Sequence, residues 1–370
     1  ETAAGLSGDV EWAGFYGAHV LSRLQSCEKE GAAEHQIHSI VAGKFLNLWW
    51  KSKWSKGKRE ALLEIVQALR NDWFGGETES SGRATAGPPY EEILKLLKGK
   101  IPENHLMAIK ELVLFGADPI FAGSKKGYHA KPYPGTQQVE ASVIADYIQL
   151  MAARRALAFD LEEEGIKEAL IEAGVRLAPI VVAHKKGAHG KLLVDEDGEW
   201  VLRICNDCNN ADHPRGANRG LDSSQHSTQK TTSPWQVVYK ILKEERKHPS
   251  APIRLVKDDI QKAFNLIAVC LKAIGLFATC TSRLALINLN LIFGSCVSPG
   301  DFEIIGDAII KCIMMMPRAN VRTGTEGQQW TPEDSLSAGE LHPEMARMVD
   351  DILSIVAMEG SRCPDHLHRI

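Results

Sequence analysis

Two adjacent carboxylates near the C-terminal end, Asp350 and Asp351, stand between apolar pairs in Met348-Val349-Asp350-Asp351-Ile352-Leu353. Neighbouring acids repel unless a cation lies between them, and a donor set made only of oxygen suits a hard ion such as Mg²⁺. The order apolar–acid–acid–apolar over residues 345–356 predicts a tight β-hairpin with the acids at its turn. For an isolated pair, a solvated Asp-Asp turn is the commoner explanation. A further acidic pair stands upstream, where Ile253-Arg254-Leu255-Val256-Lys257-Asp258-Asp259 reads as an apolar strand ending in acid. Basic groups gather in two places. One is the stretch 185–203, with Lys185, Lys186 and Arg203 on a predicted hairpin. The other is Trp49-Trp50-Lys51-Ser52-Lys53-Trp54-Ser55-Lys56-Gly57-Lys58-Arg59, five basic groups interleaved with three indoles. Lys and Arg neutralise phosphates and indoles stack on bases, so this second stretch is a candidate nucleic-acid contact. A solvated basic turn beside core tryptophans explains it about as well.

Composition sets the frame for that chemistry. At 370 residues, 44% hydrophobic and 24% charged, the chain has the make-up of a globular protein with two or three domains. Its net charge of −4 requires any nucleic-acid contact to use local patches. The eight cysteines are scattered, several within apolar runs, as expected of reduced core thiols in an intracellular (cytoplasmic or nuclear) protein. Cys205-x-x-Cys208 with His213 lacks the second ligand pair that a closed zinc site needs. No signal pattern and no apolar stretch long enough for a bilayer is present, so no membrane partner is expected. No nucleophile triad stands out.

The elements that must position these groups follow from periodicity. Residues 1–75 read as a helical N-terminal region, with apolar spacing of three and four over 41–50 and 60–73. Residues 76–89, within a Gly/Ser/Thr/Pro-rich run, form the linker. Residues 90–175 read as a helical lead-in, with helices over 90–97, 104–115, 139–159 and 161–173, the last stopped by Gly174. From 176 the texture turns to strands: 176–183 and 200–205 as a basic hairpin, 253–259, and 284–293. A helix then starts at Ser298, a good N-cap, with Pro299 at its first position.

In this order the segments resemble the fingers and palm of reverse transcriptases, RNA-directed DNA polymerases of retroelements. The resemblance rests on the basic finger hairpin, on Asp259-Ile260-x-x-Ala263-Phe264, on Phe293-Gly294-x-x-x-Ser298-Pro299 before a helix, and on Val349-Asp350-Asp351-Ile352. It covers residues 176–356 and, more loosely, 100–175. The fold it implies is α+β, a helical N-terminal region followed by fingers and an antiparallel palm sheet with helices on one face. It makes Asp259, Asp350 and Asp351 the catalytic, metal-holding carboxylates. Asp259 is preferred to Asp258 because it directly precedes Ile-x-x-Ala-Phe. Lys185 or Lys186 and Arg203 become triphosphate contacts. Phe264 would pack under the incoming sugar, and Gly294, Ser298 and Pro299 would form the template- and nucleotide-positioning turn.

The implied reaction is template-directed nucleotidyl transfer with two Mg²⁺ or Mn²⁺ ions about 3.5–4 Å apart. The implied partners are an RNA or DNA template-primer, a deoxynucleoside triphosphate, and a further polypeptide supplying a thumb or RNase H. The last is expected because only nineteen residues follow Asp351. Two departures are Met348, where an aromatic or small residue is common, and Cys208, where an aromatic or aliphatic residue is more usual. The competing expectation is an inactive palm serving as a nucleic-acid or protein scaffold.

Overall fold

The computed structural model describes residues 5–27, 31–74, 90–124, 126–187, 190–194, 201–209, 216–222, 224, 233–249, 253–260, 263–315, 344–348 and 351–357. The linker run 75–89 and the turn 195–198 lie outside the described residues. The chain divides into two units. The first takes residues 1–88, 110–226 and 264–298; the second takes 89–109, 227–263 and 299–370.

The first unit begins with helices α1 (Asp9–Phe15), α2 (Ser22–Ser26), α3 (Ala32–Lys51) and α4 (Lys58–Phe74), with a π-helical turn between α1 and α2. Helices at 41–50 and 60–73 are thus where the apolar spacing put them. Their aromatic residues form the core: Trp12 stacks on Trp49 at 5.9 Å, and Trp50 meets Phe159 edge-on at 5.5 Å. Buried Arg70 of α4 donates to the carbonyls of Val269 and Leu289 at 2.8 and 3.4 Å, and burial lowers its pKa to about 10.

Helices α5 (Tyr90–Leu97) and α6 (Glu103–Phe115) follow, the first lying in the second unit. The first unit resumes with β1 (Tyr128–His129), α7 (Pro134–Gln138), α8 (Glu140–Ala152), β2 (Ala156–Asp160), α9 (Ile166–Glu172), β3 (Arg176–Ala178), β4 (Ile180–His184) and β5 (Leu202–Asn206).

The single helix expected over 139–159 is corrected here: it ends at Ala152, and β2 follows. Arg155 N donates to Leu150 O at 2.7 Å and Arg154 N to Met151 O at 2.8 Å, closing a Schellman motif. Arg154 holds the left-handed position, φ 62°, that glycine normally fills. Without a glycine the stop left no mark in the sequence. In addition, β2 is buried at every position, so its alternation is invisible. At α9 the same motif carries Gly174, φ 82°, and the stop was legible. That helix starts at Ile166, later than the expected 161. The lead-in 90–175 is therefore not wholly helical.

α10 (Pro234–Lys247), β6 (Ile253–Asp259), β7 (Ala278–Cys280), β8 (Leu284–Asn288), α11 (Ser298–Met315), β9 (Glu344–Met348) and β10 (Asp351–Ala357) complete the chain. Strands order as β1-β3-β7-β8-β2 in the first unit, parallel across β1-β3-β7 and antiparallel thereafter. β4 and β5 pair separately as an antiparallel hairpin, because Pro179 ends the run begun by β3. In the second unit β6-β10-β9 form an antiparallel sheet, with α10 lying against its strands. α10 starts in a capping box: Gln236 N donates to Ser233 Oγ, and Ser233 N to Gln236 Oε1. The architecture is thus mixed α and β behind a helical N-terminal region. No helix of the described residues is long and apolar enough to cross a membrane.

α3 crosses β2 at Gly43, where a Cβ would stand 2.8 Å from Asp160 N and 3.1 Å from Phe159 C. Helix propensity alone favours alanine by up to about 1 kcal/mol. Backbone atoms of a buried strand cannot retreat, however, and overpacking costs about 1–3 kcal/mol. Gly43→Ala should therefore lower the urea unfolding midpoint. A raised midpoint would show that the helix and strand are free to part.

Candidate catalytic site

The carboxylates are placed by strand register. β10 runs antiparallel to β6 with Asp351 opposite Asp259 and Ile352 opposite Asp258. Asp259 ends β6 and Asp351 begins β10, so the acids meet where the strands meet the loops. By register Asp259 and Asp351 share one face of the sheet, and Asp258 belongs to the other. The hairpin expected at 345–356 is present, with Met348 opposite Asp351 as its closing pair. Val349 and Asp350, between those strands, lie outside the described residues. Like charges directly opposed across an antiparallel pair destabilise it, and a cation offsets the repulsion.

The other candidates belong to the first unit, except Pro299, which opens the second unit's last segment. Lys185 and Lys186 are exposed beyond the end of β4, and Arg203 is exposed on β5, opposite Ala183. None of the three forms an ion pair among the described residues. The hairpin is anchored at its other end. Buried Tyr147 bonds through its hydroxyl to Asn206 Oδ1 at 3.2 Å, to Thr279 Oγ1 at 3.0 Å and to Asn288 Nδ2 at 3.2 Å. Burial pushes that phenol up to about 12. Phe264 is buried, edge-on to Phe293 at 4.7 Å.

Gly294 is required at its position: φ is 101°, and a Cβ would stand 2.1 Å from Asn206 O. Ser298 was expected to cap α11. It is instead the first residue of α11, and its Oγ is buried without a hydrogen bond among the described residues. Cys208 is a buried thiol, its pKa raised by burial. Among the described residues no three His, Cys, Asp or Glu side chains converge as metal ligands, and His213 lies outside them.

One positioning residue was missed. Asn218 Nδ2 donates to Gly294 O at 2.7 Å and to Asn209 Oδ1 at 3.0 Å. Its Oδ1 accepts from Cys296 N at 3.0 Å, and its own N–H reaches Cys208 O at 3.0 Å. One side chain thus ties the turn before α11 to the end of the β4–β5 hairpin. It stands in a short 3₁₀ turn with no periodic signal to betray it.

The Lys/Trp stretch is committed internally. Lys51 pairs with Glu163 at 2.6 Å, Lys53 with Asp9 at 2.6 Å and Glu64 at 3.4 Å, Lys56 with Glu64 at 3.0 Å, and Lys58 with Glu172 at 2.5 Å. Arg59 donates to the carbonyls of Lys272, Ala173 and Ile274. Trp49 and Trp50 are fully buried, their indole N–H groups donating to Asp9 and to Lys58 O. These charges and rings hold α3, α4 and α9 together.

No protein-family model matches the sequence, and no curated protein matches it. The structure is similar to solved foamy-virus protease–reverse transcriptases. The selenomethionine-labelled CSH mutant of the prototype foamy virus enzyme aligns at TM-score 0.36 and 14% identity, over 74% of this chain and 30% of that one. The dRH form with double-stranded DNA aligns at 0.35 and 13%, over 78% and 41%. The form with RNA/DNA hybrid aligns at 0.33 and 13%, over 80% and 32%. This chain spans between 30% and 41% of the length of those enzymes.

Proposed function

We propose that this chain is the fingers and palm of an RNA-directed DNA polymerase, a retroelement (retrotransposon-type) product or part of one. The observation that carries the reading is the register opposing Asp259 to Asp351, with Asp350 adjacent in sequence. Acids from two strands supply an oxygen-only donor set that fits hard divalent ions. Asp259, Asp350 and Asp351 would hold two Mg²⁺ or Mn²⁺ ions, which stabilise charge on the attacking and leaving oxygens of nucleotidyl transfer. The remaining work falls to the chain's own groups. Lys185, Lys186 and Arg203, exposed on the hairpin, neutralise the triphosphate. Phe264 packs under the incoming sugar, and the turn from Gly294 to Pro299, braced by Asn218, positions template and nucleotide. An RNA or DNA template-primer and a deoxynucleoside triphosphate are the partners.

Primer extension on poly(A)·oligo(dT) with dTTP tests the reading. Mg²⁺-dependent extension is the expected result. Absence of extension together with no Mg²⁺-dependent change in melting temperature would end it.

A further inference from the structure

Within the first unit a cavity of about 820 Å³ opens between α4, the 118–124 segment, the end of α9 and residues 272–276. That volume lies within the range of about 300–1,000 Å³ typical of small-molecule sites. Its wall is apolar where Leu63, Ile120, Phe121 and Leu276 meet. Ile120 holds φ 48°, a left-handed conformation that a β-branched residue rarely adopts. The surrounding fold thus fixes this wall against a local preference. Beneath Phe121 lies the buried Arg176 guanidinium, 4.4 Å from the ring centroid and donating to Ser124 O, which holds the ring in place.

The electrostatics of the cavity are unbalanced. Its two carboxylates are engaged, Asp118 with Lys272 and Glu172 with Lys58. Arg59, half-buried in the same wall, has only neutral carbonyls as hydrogen-bond partners and forms no ion pair among the described residues. Three of its five N–H groups are used, which leaves two for a ligand. Burial lowers its pKa, with Glu60 acting only at a distance. A cation withdrawn from water without a counter-charge is stabilised by an anion that enters beside it.

We propose that this cavity binds a small organic anion, an apolar ring-sized body bearing a carboxylate, phosphate or sulfonate, with the anionic group on Arg59 and the ring against Phe121 and Leu63. The site is independent of the carboxylates of β6 and β10.

A matched pair of fluorescent probes tests it: 8-anilinonaphthalene-1-sulfonate and its uncharged counterpart, N-phenyl-1-naphthylamine. The intact chain should bind the sulfonate saturably at one site, at least about tenfold more tightly than the neutral probe, because only the sulfonate makes a charge-assisted contact with Arg59. Arg59→Met should remove that preference while retaining the neutral probe. Leu63→Trp, which puts an indole where the probe's ring would lie against Phe121 and leaves Arg59 in place, should weaken both. If Arg59→Met does not fold, the probe preference of the intact chain and the Leu63→Trp result still decide the matter. Displacement by phenyl phosphate but not benzoate, or the reverse, identifies the anionic group. Equal affinity for the two probes, or binding unaffected by Leu63→Trp, would overturn the proposal.

Discussion

Asp350→Asn is expected to abolish nucleotide transfer, a loss of at least about 10²–10³-fold, while leaving the fold intact. The reason begins with Asp259 and Asp351, which register opposite one another across β6 and β10. Asp350 adds a third carboxylate beside them in sequence, and clustered acids disfavour one another's charge. Removing one charge relieves that repulsion, so in metal-free buffer the variant should melt at or above the temperature of the unmodified chain. Divalent ion reverses the order. A ligand that binds only the folded site adds stability by mass action, about 2.7 kcal/mol at a hundred times its dissociation constant. Mg²⁺ or Mn²⁺ should therefore raise the melting temperature of the unmodified chain more than that of the variant. Equal shifts would return the acids to the role of a solvated turn. A metal-dependent difference without primer extension would support a metal-holding site and count against polymerase activity.

Trp50→Ala should cost about 3–5 kcal/mol of stability, the range for emptying a large aromatic site in a core. Trp50 is fully buried, packs edge-on to Phe159 and Trp54, and donates its indole N–H to Lys58 O. Truncation would open a cavity between α3 and β2 and leave that carbonyl without its donor. Chemical denaturation read by tryptophan fluorescence and circular dichroism together checks this. A base-stacking role predicts the opposite pattern, unchanged stability with weakened binding to single-stranded nucleic acid. Observing that pattern would favour residues 51–59 as an interface.

The contrast between these two stretches shows what each level of description decides. Sequence periodicity alone located α4, α5, α6 and α11, because apolar spacing of three and four reports a helix face over a few turns. It also located β6 and the β9–β10 hairpin, whose apolar runs end in acid. The preference for Asp259 over Asp258 came from the resemblance, through Ile260-x-x-Ala263-Phe264, and the register of β10 puts Asp259 opposite Asp351. All of these depend on neighbours within a few residues. The end of α8 was hidden because Arg154 occupies a glycine's conformation, stabilised by its place against Trp73, 81 residues away in sequence. The ion-pair partners of the Lys/Trp stretch were hidden for the same reason. Lys51 and Lys58 find Glu163 and Glu172 more than a hundred residues along the chain. A basic residue beside an indole looks alike whether it faces phosphate or a distant carboxylate, so composition cannot separate the two. Asn218 carries no pattern at all, and only folding brings Gly294 and Cys296 within reach of its amide. Residue type and spacing therefore fixed which local elements form and which acids to watch. Only the tertiary structure decided which charges the fold itself neutralises, because partners far apart in sequence meet only once the chain has folded.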